Sequence, residues 1–359
     1  MDTTAYFLAH HPVIRNDKRT TQIRVVFDGG LKTSKNISLN DVLLNGPVVQ
    51  NELFDILILF RSYKYILITD IRQMYRRVMV HHNFKSFQNI LWRDNPEEEL
   101  KCLQLQTVTW GLKPSAYLAT RCLIELADKY KDKYPLAAAA LENNTYIDDI
   151  LCGANDIEET LSLQNELISL LTLGHFQLHK WVANSSELLR NIPSEKCYFD
   201  NIKFDKNNND YVKTLEITFT KRKVLSFIAK IYDPLGFLGP IITNAEIIMQ
   251  RICCFKISWD ETLPPDLYDM WKTFAESLIS MPSFEIKRDL NFAEAETTDL
   301  LGFCDASNVA YGCAIYCRVI KKDGSILTNL VCSKSRISPI NEKLTIPRAE
   351  LNSACFWLC

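Results

Sequence analysis

The sequence predicts an α+β fold, and three stretches predict it. Tyr65-Ile-Leu-Ile-Thr69 is a dense apolar run of strand length that delivers Asp70 at its C-terminal end, as a buried strand would. Thr145–Cys152 carries Asp148 and Asp149 in the middle of an apolar stretch too short for a helix, which fits a β-hairpin with the pair at its bend. Between these two, Pro114 opens a helical pattern in which Ala116, Ala119, Leu123, Leu126 and Tyr130 recur at spacings of three and four.

The other elements follow in chain order. Apolar, β-branched runs flank Asn16–Thr21, predicting two strands joined by a polar, basic hairpin. Ser38 offers a helix cap, and a helix is predicted from Pro47 to Phe60. Val78–His81 and Phe87–Trp92 read as strands, with the acidic Pro96–Leu100 as a turn. Asp156 and Glu159 form a capping-box pair for a helix to about Leu173, closed by Gly174. The polar Glu195–Asp210 marks a boundary loop. Helices are then predicted over Lys221–Ile231, Ile241–Ile252 and Pro264–Leu278. Strands at Leu301–Asp305, Gly312–Val319 and Ile326–Cys332 come next, and a helix starts at Pro347.

Composition bounds the function classes. The 359 residues suit two or three domains, and 47% hydrophobic with 23% charged residues describes an ordinary globular chain, not a disordered or fibrous one. No apolar run reaches transmembrane length, and Met1–Thr4 lacks the basic start of a secretory signal, so an intracellular protein is expected. The 12 cysteines are scattered without paired CxxC spacing, and Cys253, Cys254, Cys313 and Cys317 are expected to be structural thiols, not zinc ligands. Charge is uneven: Met1–Ile90 holds 12 Lys and Arg against 7 Asp and Glu, and Leu91–Leu170 holds 7 against 14. A lobe that grips phosphates beside one that holds cations would show this split, but so would solvated faces that differ by chance.

The aspartate pair carries the chemistry. Buried like charges repel and desolvation disfavours both ionised forms, so something must compensate. A pair of divalent cations shared with a third carboxylate would do so, and Asp70 supplies that carboxylate if its strand neighbours the hairpin. Such a site would hold a 3′-hydroxyl and a triphosphate for in-line attack. An exposed turn with two aspartates is the bland alternative.

Several motifs in order carry a family resemblance. Tyr146-Ile-Asp-Asp149 resembles the Y-x-D-D box of reverse transcriptases, and Asp70-Ile-Arg-Gln-Met-Tyr75 their first carboxylate motif. Thr107-Val-Thr-Trp-Gly-Leu-Lys-Pro-Ser115 is similar to their nucleotide-pocket segment, and Phe176-Gln-Leu-His-Lys-Trp-Val-Ala-Asn184 to the segment that carries a lysine. With His10–Arg15, Arg24–Asp28, Lys221–Ser226 and Ile231–Gly236, the whole is most similar to the Bel/Pao group of long-terminal-repeat retrotransposons.

That resemblance implies a right-hand polymerase: fingers and an antiparallel palm over 1–185, then a helical thumb or connection over 186–290. Asp70, Asp148 and Asp149 would hold two Mg2+ ions, for which Mn2+ could substitute, with a backbone carbonyl from Ile71. Arg24 would grip the triphosphate, and Gly111 would let the backbone approach the nucleotide. Many relatives carry glutamine where this chain has Trp110. Tyr75 would stack under the sugar and exclude a 2′-hydroxyl, or is simply a core aromatic. Lys180 would donate a proton to the departing pyrophosphate, or is an exposed strand residue. Arg15 or Lys18 would add a second cation, or lie in a solvated turn. Implied partners are an RNA template, a DNA or RNA primer, dNTPs and other Gag and Pol products, in a cytoplasmic virus-like particle.

Phe303-Cys-Asp-Ala-Ser307, Tyr311–Tyr316 and Ile346-Pro-Arg-Ala-Glu350 resemble the first strands and first helix of a ribonuclease H domain. Asp305 and Glu350 would be two of its metal-holding carboxylates. The domain, over 291–359, is expected to be truncated and unable to cleave RNA in a hybrid. The competing expectation for the whole chain is a non-catalytic nucleic-acid-binding remnant of a decayed element.

Overall fold

The computed structural model describes residues 5–14, 23–198, 219–341 and 344–358. Arg15 and Lys18 and most of the expected boundary loop lie outside these residues. The chain divides into two compact units, 1–60 with 65–198, and 61–64 with 199–359.

The first unit is built on a four-stranded sheet. Its central strand β3 (Tyr65–Ile71) pairs antiparallel with β7 (Asp149–Ala154) and β8 (Leu178–Ala183), and β6 (Thr145–Tyr146) closes the hairpin with β7. The apolar run of β3 is explained by burial: Ile66, Leu67, Thr69 and Ile71 are all buried. Helices α2 (Ser115–Tyr130), α3 (Pro135–Asn143) and α4 (Ile157–Leu173) bury Ala119, Leu123, Leu141, Leu167 and Leu170 in the same core as Leu67, Ile150 and Trp181. Asp156 caps α4 by accepting from the N–H groups of Glu158 and Glu159. Two antiparallel ribbons, β1 (Ala9–Ile14) with β2 (Ile23–Asp28) and β4 (Asn89–Trp92) with β5 (Lys101–Gln104), complete the unit.

Several expected boundaries move. The helix placed over Pro47–Phe60 is α1, Leu53–Ser62. Val78–His81 is not a strand: it makes one bridge, Met79 to Thr107, before the chain tightens into a 3-10 helix at His82–Gln88, where the His81 ring accepts from Asn83 N–H. The helix expected after Pro114, by contrast, runs as read to Tyr130, and beyond Lys131–Tyr134 Pro135 starts a separate helix, α3, at the first-turn position proline favours.

In the second unit, β9 (Ala295–Ala306), β10 (Ala310–Lys321) and β11 (Ile326–Ile337) form an antiparallel meander in the order β11-β10-β9. Helices α5 (Lys221–Ile228), α6 (Gly239–Cys254) and α7 (Pro265–Ser280) share a core of Val224, Ala245, Ile252, Leu267, Trp271 and Phe274. Helix α8 (Ile346–Leu358) packs on β9 and β10, with Phe356 stacked on Tyr311. Cys313 and Cys317 are buried as expected of structural thiols, whereas Cys253 and Cys254 are exposed at the end of α6. Among the described residues no helix is long and apolar enough to cross a membrane.

Candidate functional site

The hairpin and β3 bring the aspartates together through register. Asp70 is the direct cross-strand partner of Asp149. Tyr146 pairs with Asp149, which leaves Ile147 and Asp148 as the two turn residues. The bend thus holds Asp148, while Asp149 is the first residue of β7, a half-step from the expectation that both sit at the bend. The Ile71 N–H donates to the Asp148 carbonyl at 2.8 Å, tying the turn to β3. Ile147 has φ +57°, a left-handed conformation costly for a β-branched residue. Its N–H donates to Gln50 Oε1 at 3.1 Å.

Strand β8 contributes from the other side. Ile68 faces Val182 and Asp70 faces His179, so β8 carries one residue more than β3 across this interval. The extra residue makes a bulge, in which Lys180 adopts φ +57°. The bulge puts Leu178 and Trp181, three apart, both into the core and frees Lys180 to turn to the aspartates. Lys180 Nζ lies 2.6 Å from Asp70 Oδ2. His179 Nδ1 lies 3.4 Å from Asp70 Oδ1 and 3.0 Å from the Asp70 carbonyl.

Electrostatics follow from this crowding. Burial, and then the Asp70 charge, raise the Asp148 carboxyl above its ordinary value. Burial raises Asp149 too, followed by the charges of Asp148 and Asp70. The hydrogen bond to Asp70 raises Lys180. Burial, with the Asp148 charge second, raises the Tyr75 phenol. Three carboxylates against one ammonium leave an excess of negative charge with hard oxygen donors, the chemistry that suits Mg2+ or Mn2+. Among the described residues no group of three or more His, Cys, Asp or Glu is drawn together closely enough to hold a metal ion. The Asp70 carboxylate is instead turned to Lys180 and His179.

A second group forms around Trp110. Its Nε1 donates to the Val25 carbonyl at 2.8 Å, and the Phe27 ring lies 5.7 Å from it. The guanidinium groups of Arg24 and Arg76 lie 5.9 and 5.1 Å from the indole centroid. Among the described residues neither arginine forms an ion pair. Gly111 has φ +93°, and a Cβ there would sit 2.1 Å from the Phe27 carbonyl oxygen, so the close approach this glycine permits is to strand β2. Asn40 fixes the loop from both ends, donating to the Gly111 carbonyl and accepting from the Lys113 N–H, each at 2.9 Å.

Gln50, Arg76 and His179 escaped the sequence reading. Gln50 and His179 reach their partners across 97 and 109 residues of chain, and no local pattern marks such contacts. Arg76 follows Tyr75 directly and could have been flagged as a cation next to the pocket motif.

In the second unit Asp305 lies one residue from the end of β9 and Glu350 in the opening turns of α8; both are exposed. Asp305 also lines a cleft of about 490 Å³ between α6 and the sheet. Residues 220–357 match the family described as Pao retrotransposon-like RNaseH-like domain. The Bel/Pao resemblance read from the motifs is borne out. The structure of the foamy viral protease-reverse transcriptase in complex with RNA/DNA hybrid is similar to this chain, with TM-score 0.57 and 14% identity over 99% of this chain and 43% of that one. The same foamy viral enzyme, as a dRH form in complex with ds DNA, gives TM-score 0.58 and 15% identity over 98% and 55%. The chain thus spans about half the length of these solved structures, and the likeness shows a reverse-transcriptase-like α+β fold. No curated protein matches it.

Proposed function

We propose that the chain is the polymerase region of a retrotransposon reverse transcriptase, adding deoxynucleotides to a primer 3′-hydroxyl on an RNA template. The observation that carries the proposal is the register that sets Asp70 opposite Asp149, with Asp148 on the turn between β6 and β7. Two Mg2+ ions, or Mn2+, held by Asp70, Asp148 and Asp149 with the Ile71 carbonyl, would stabilise the charge on the attacking and leaving oxygens. The protein's own groups supply the rest. Lys180 carries a proton beside the site, where it can neutralise departing pyrophosphate. Arg24, stacked on Trp110, offers its guanidinium to the triphosphate. Tyr75 packs against the same core as Ile147, where its ring would block a 2′-hydroxyl, and Gly111 holds the pocket loop against β2.

Partners follow from the same reading: RNA and DNA strands, dNTPs, and other products of the element. The solved relatives were captured with RNA/DNA hybrid and with ds DNA, which supports the first of these. Asp305 and Glu350 would belong to a nuclease face in the Pao-type domain. The test is primer extension on an RNA template with Mg2+ or Mn2+. Incorporation that depends on Asp148 supports the proposal. One observation favours a second reading, a chain that binds nucleic acid without extending it: Asp70 is closed by Lys180 and His179. That reading gives salt-sensitive retention of duplex and no product.

A further inference from the structure

We propose that Gln50 is a positioning residue for the aspartate turn, an inference that rests on the polymerase reading. A two-residue hairpin is closed by the bond between its flanking residues, so the N–H of its first turn residue has no partner within the turn. Here that residue is Ile147, whose branched side chain opposes the φ of +57° it adopts. The turn is therefore held from outside at two points. Ile71 N–H grips the Asp148 carbonyl at 2.8 Å, and Gln50 Oε1 accepts from the Ile147 N–H at 3.1 Å. The first grip comes from the sheet, but the second comes from a strap preceding α1, 97 residues away in the chain. The strap is itself seated: Gly46 has φ +80°, and a Cβ there would fall 2.4 Å from the Tyr117 ring on α2, so its backbone lies directly on that ring. Gln50 thus links a fixed strap to the one strained peptide that precedes Asp148. Without its oxygen, the peptide between Tyr146 and Ile147 is free to rotate toward an ordinary φ, and the two carboxylates beyond it move with the chain.

The experiment compares Gln50→Met, which keeps the length and loses the oxygen, in wild-type and Ile147→Gly backgrounds. Glycine adopts positive φ without support, so it removes the need for the grip. In the wild-type background kcat for dNTP incorporation falls about tenfold, as loss of one neutral hydrogen bond allows, while dNTP KM and template–primer affinity stay within about twofold. In the Ile147→Gly background the same substitution changes kcat less than about twofold. Unchanged kcat in the wild-type background, or an equal loss in both, overturns the proposal. If Gln50→Met does not fold, Gln50→Asn, which keeps the amide but is one methylene too short, carries the same comparison. A wild-type chain that makes no DNA refutes the polymerase reading alone. The grip is then read by amide hydrogen exchange at Ile147, which Gln50→Met accelerates about tenfold if the bond exists, and leaves unchanged if it does not.

Discussion

Asp148 sits where burial and the Asp70 charge outweigh the help of Lys180 and His179, and that has a thermodynamic signature. Its carboxyl is raised in the folded state, so the folded chain holds more protons than the unfolded one between the ordinary carboxylate value and the raised one. Stability is greatest below that window, falls as pH rises through it, and carries the full penalty at pH 7. Asp148→Asn removes the penalty, and we expect Tm at pH 7 without divalent ions to rise by about 2 °C, an advantage that shrinks as pH falls through that window and is gone below about pH 4. The same variant loses incorporation by at least about 10³-fold while template–primer affinity stays within about twofold. A scanning fluorimetry series across pH, with extension and filter-binding assays, checks all three. Equal loss of binding and extension would remove Asp148 from the chemistry. Tyr75→Ala tests the sugar contact: ribonucleotide incorporation rises relative to deoxynucleotide by about 10²-fold, as single-nucleotide extension would read, and unchanged discrimination would take the ring out of the pocket.

At the scale of elements, the strands and helices were legible where periodicity repeats. Tyr65–Thr69, the Tyr146–Asp149 hairpin and the α4 caps emerged from pattern because their residues are constrained by near neighbours. The bulge at Lys180 was not, since Phe176–Asn184 carries no glycine or other mark of an inserted residue; only pairing with β3 reveals it. Lys180→Met should lower incorporation by about 10²-fold with little change in dNTP KM, as rapid-quench kinetics would show, if the ammonium serves as the proton source. Before α6 the chain makes another device that the helical patterns on either side did not mark. Asp233 accepts from the N–H groups of Phe237 at 2.8 Å and Leu238 at 2.6 Å. Asp233→Ala should cost about 1–2 kcal/mol, seen as a lower urea midpoint at constant slope.

Across the whole molecule, the net charge of −2 would suggest indifference to polyanions, yet the first 90 residues hold 12 Lys and Arg against 7 Asp and Glu. Binding of an RNA/DNA duplex should therefore be strongly salt-dependent, weakening by about 10²-fold or more between 50 and 200 mM salt. A flat salt response in fluorescence anisotropy would count against a phosphate-gripping face. The order of motifs along the chain carried the family resemblance, because each motif is a local string that survives reading in one dimension. What joins them in space was hidden for the opposite reason. Gln50 meets Ile147, Trp110 meets Arg24 and Arg76, and Asn40 meets Gly111 only after the sheet and ribbons have formed.

The odd residue in β8 also limits how this strand can change over generations. Deleting codon 180 would restore even pairing with β3 and leave Leu178 and Trp181 two apart, so both would still face the core while the ammonium beside Asp70 is lost. The fold can therefore lose this position more readily than the aspartates can, and a decaying copy of this gene should show a gap there only where Asp70, Asp148 or Asp149 has already changed.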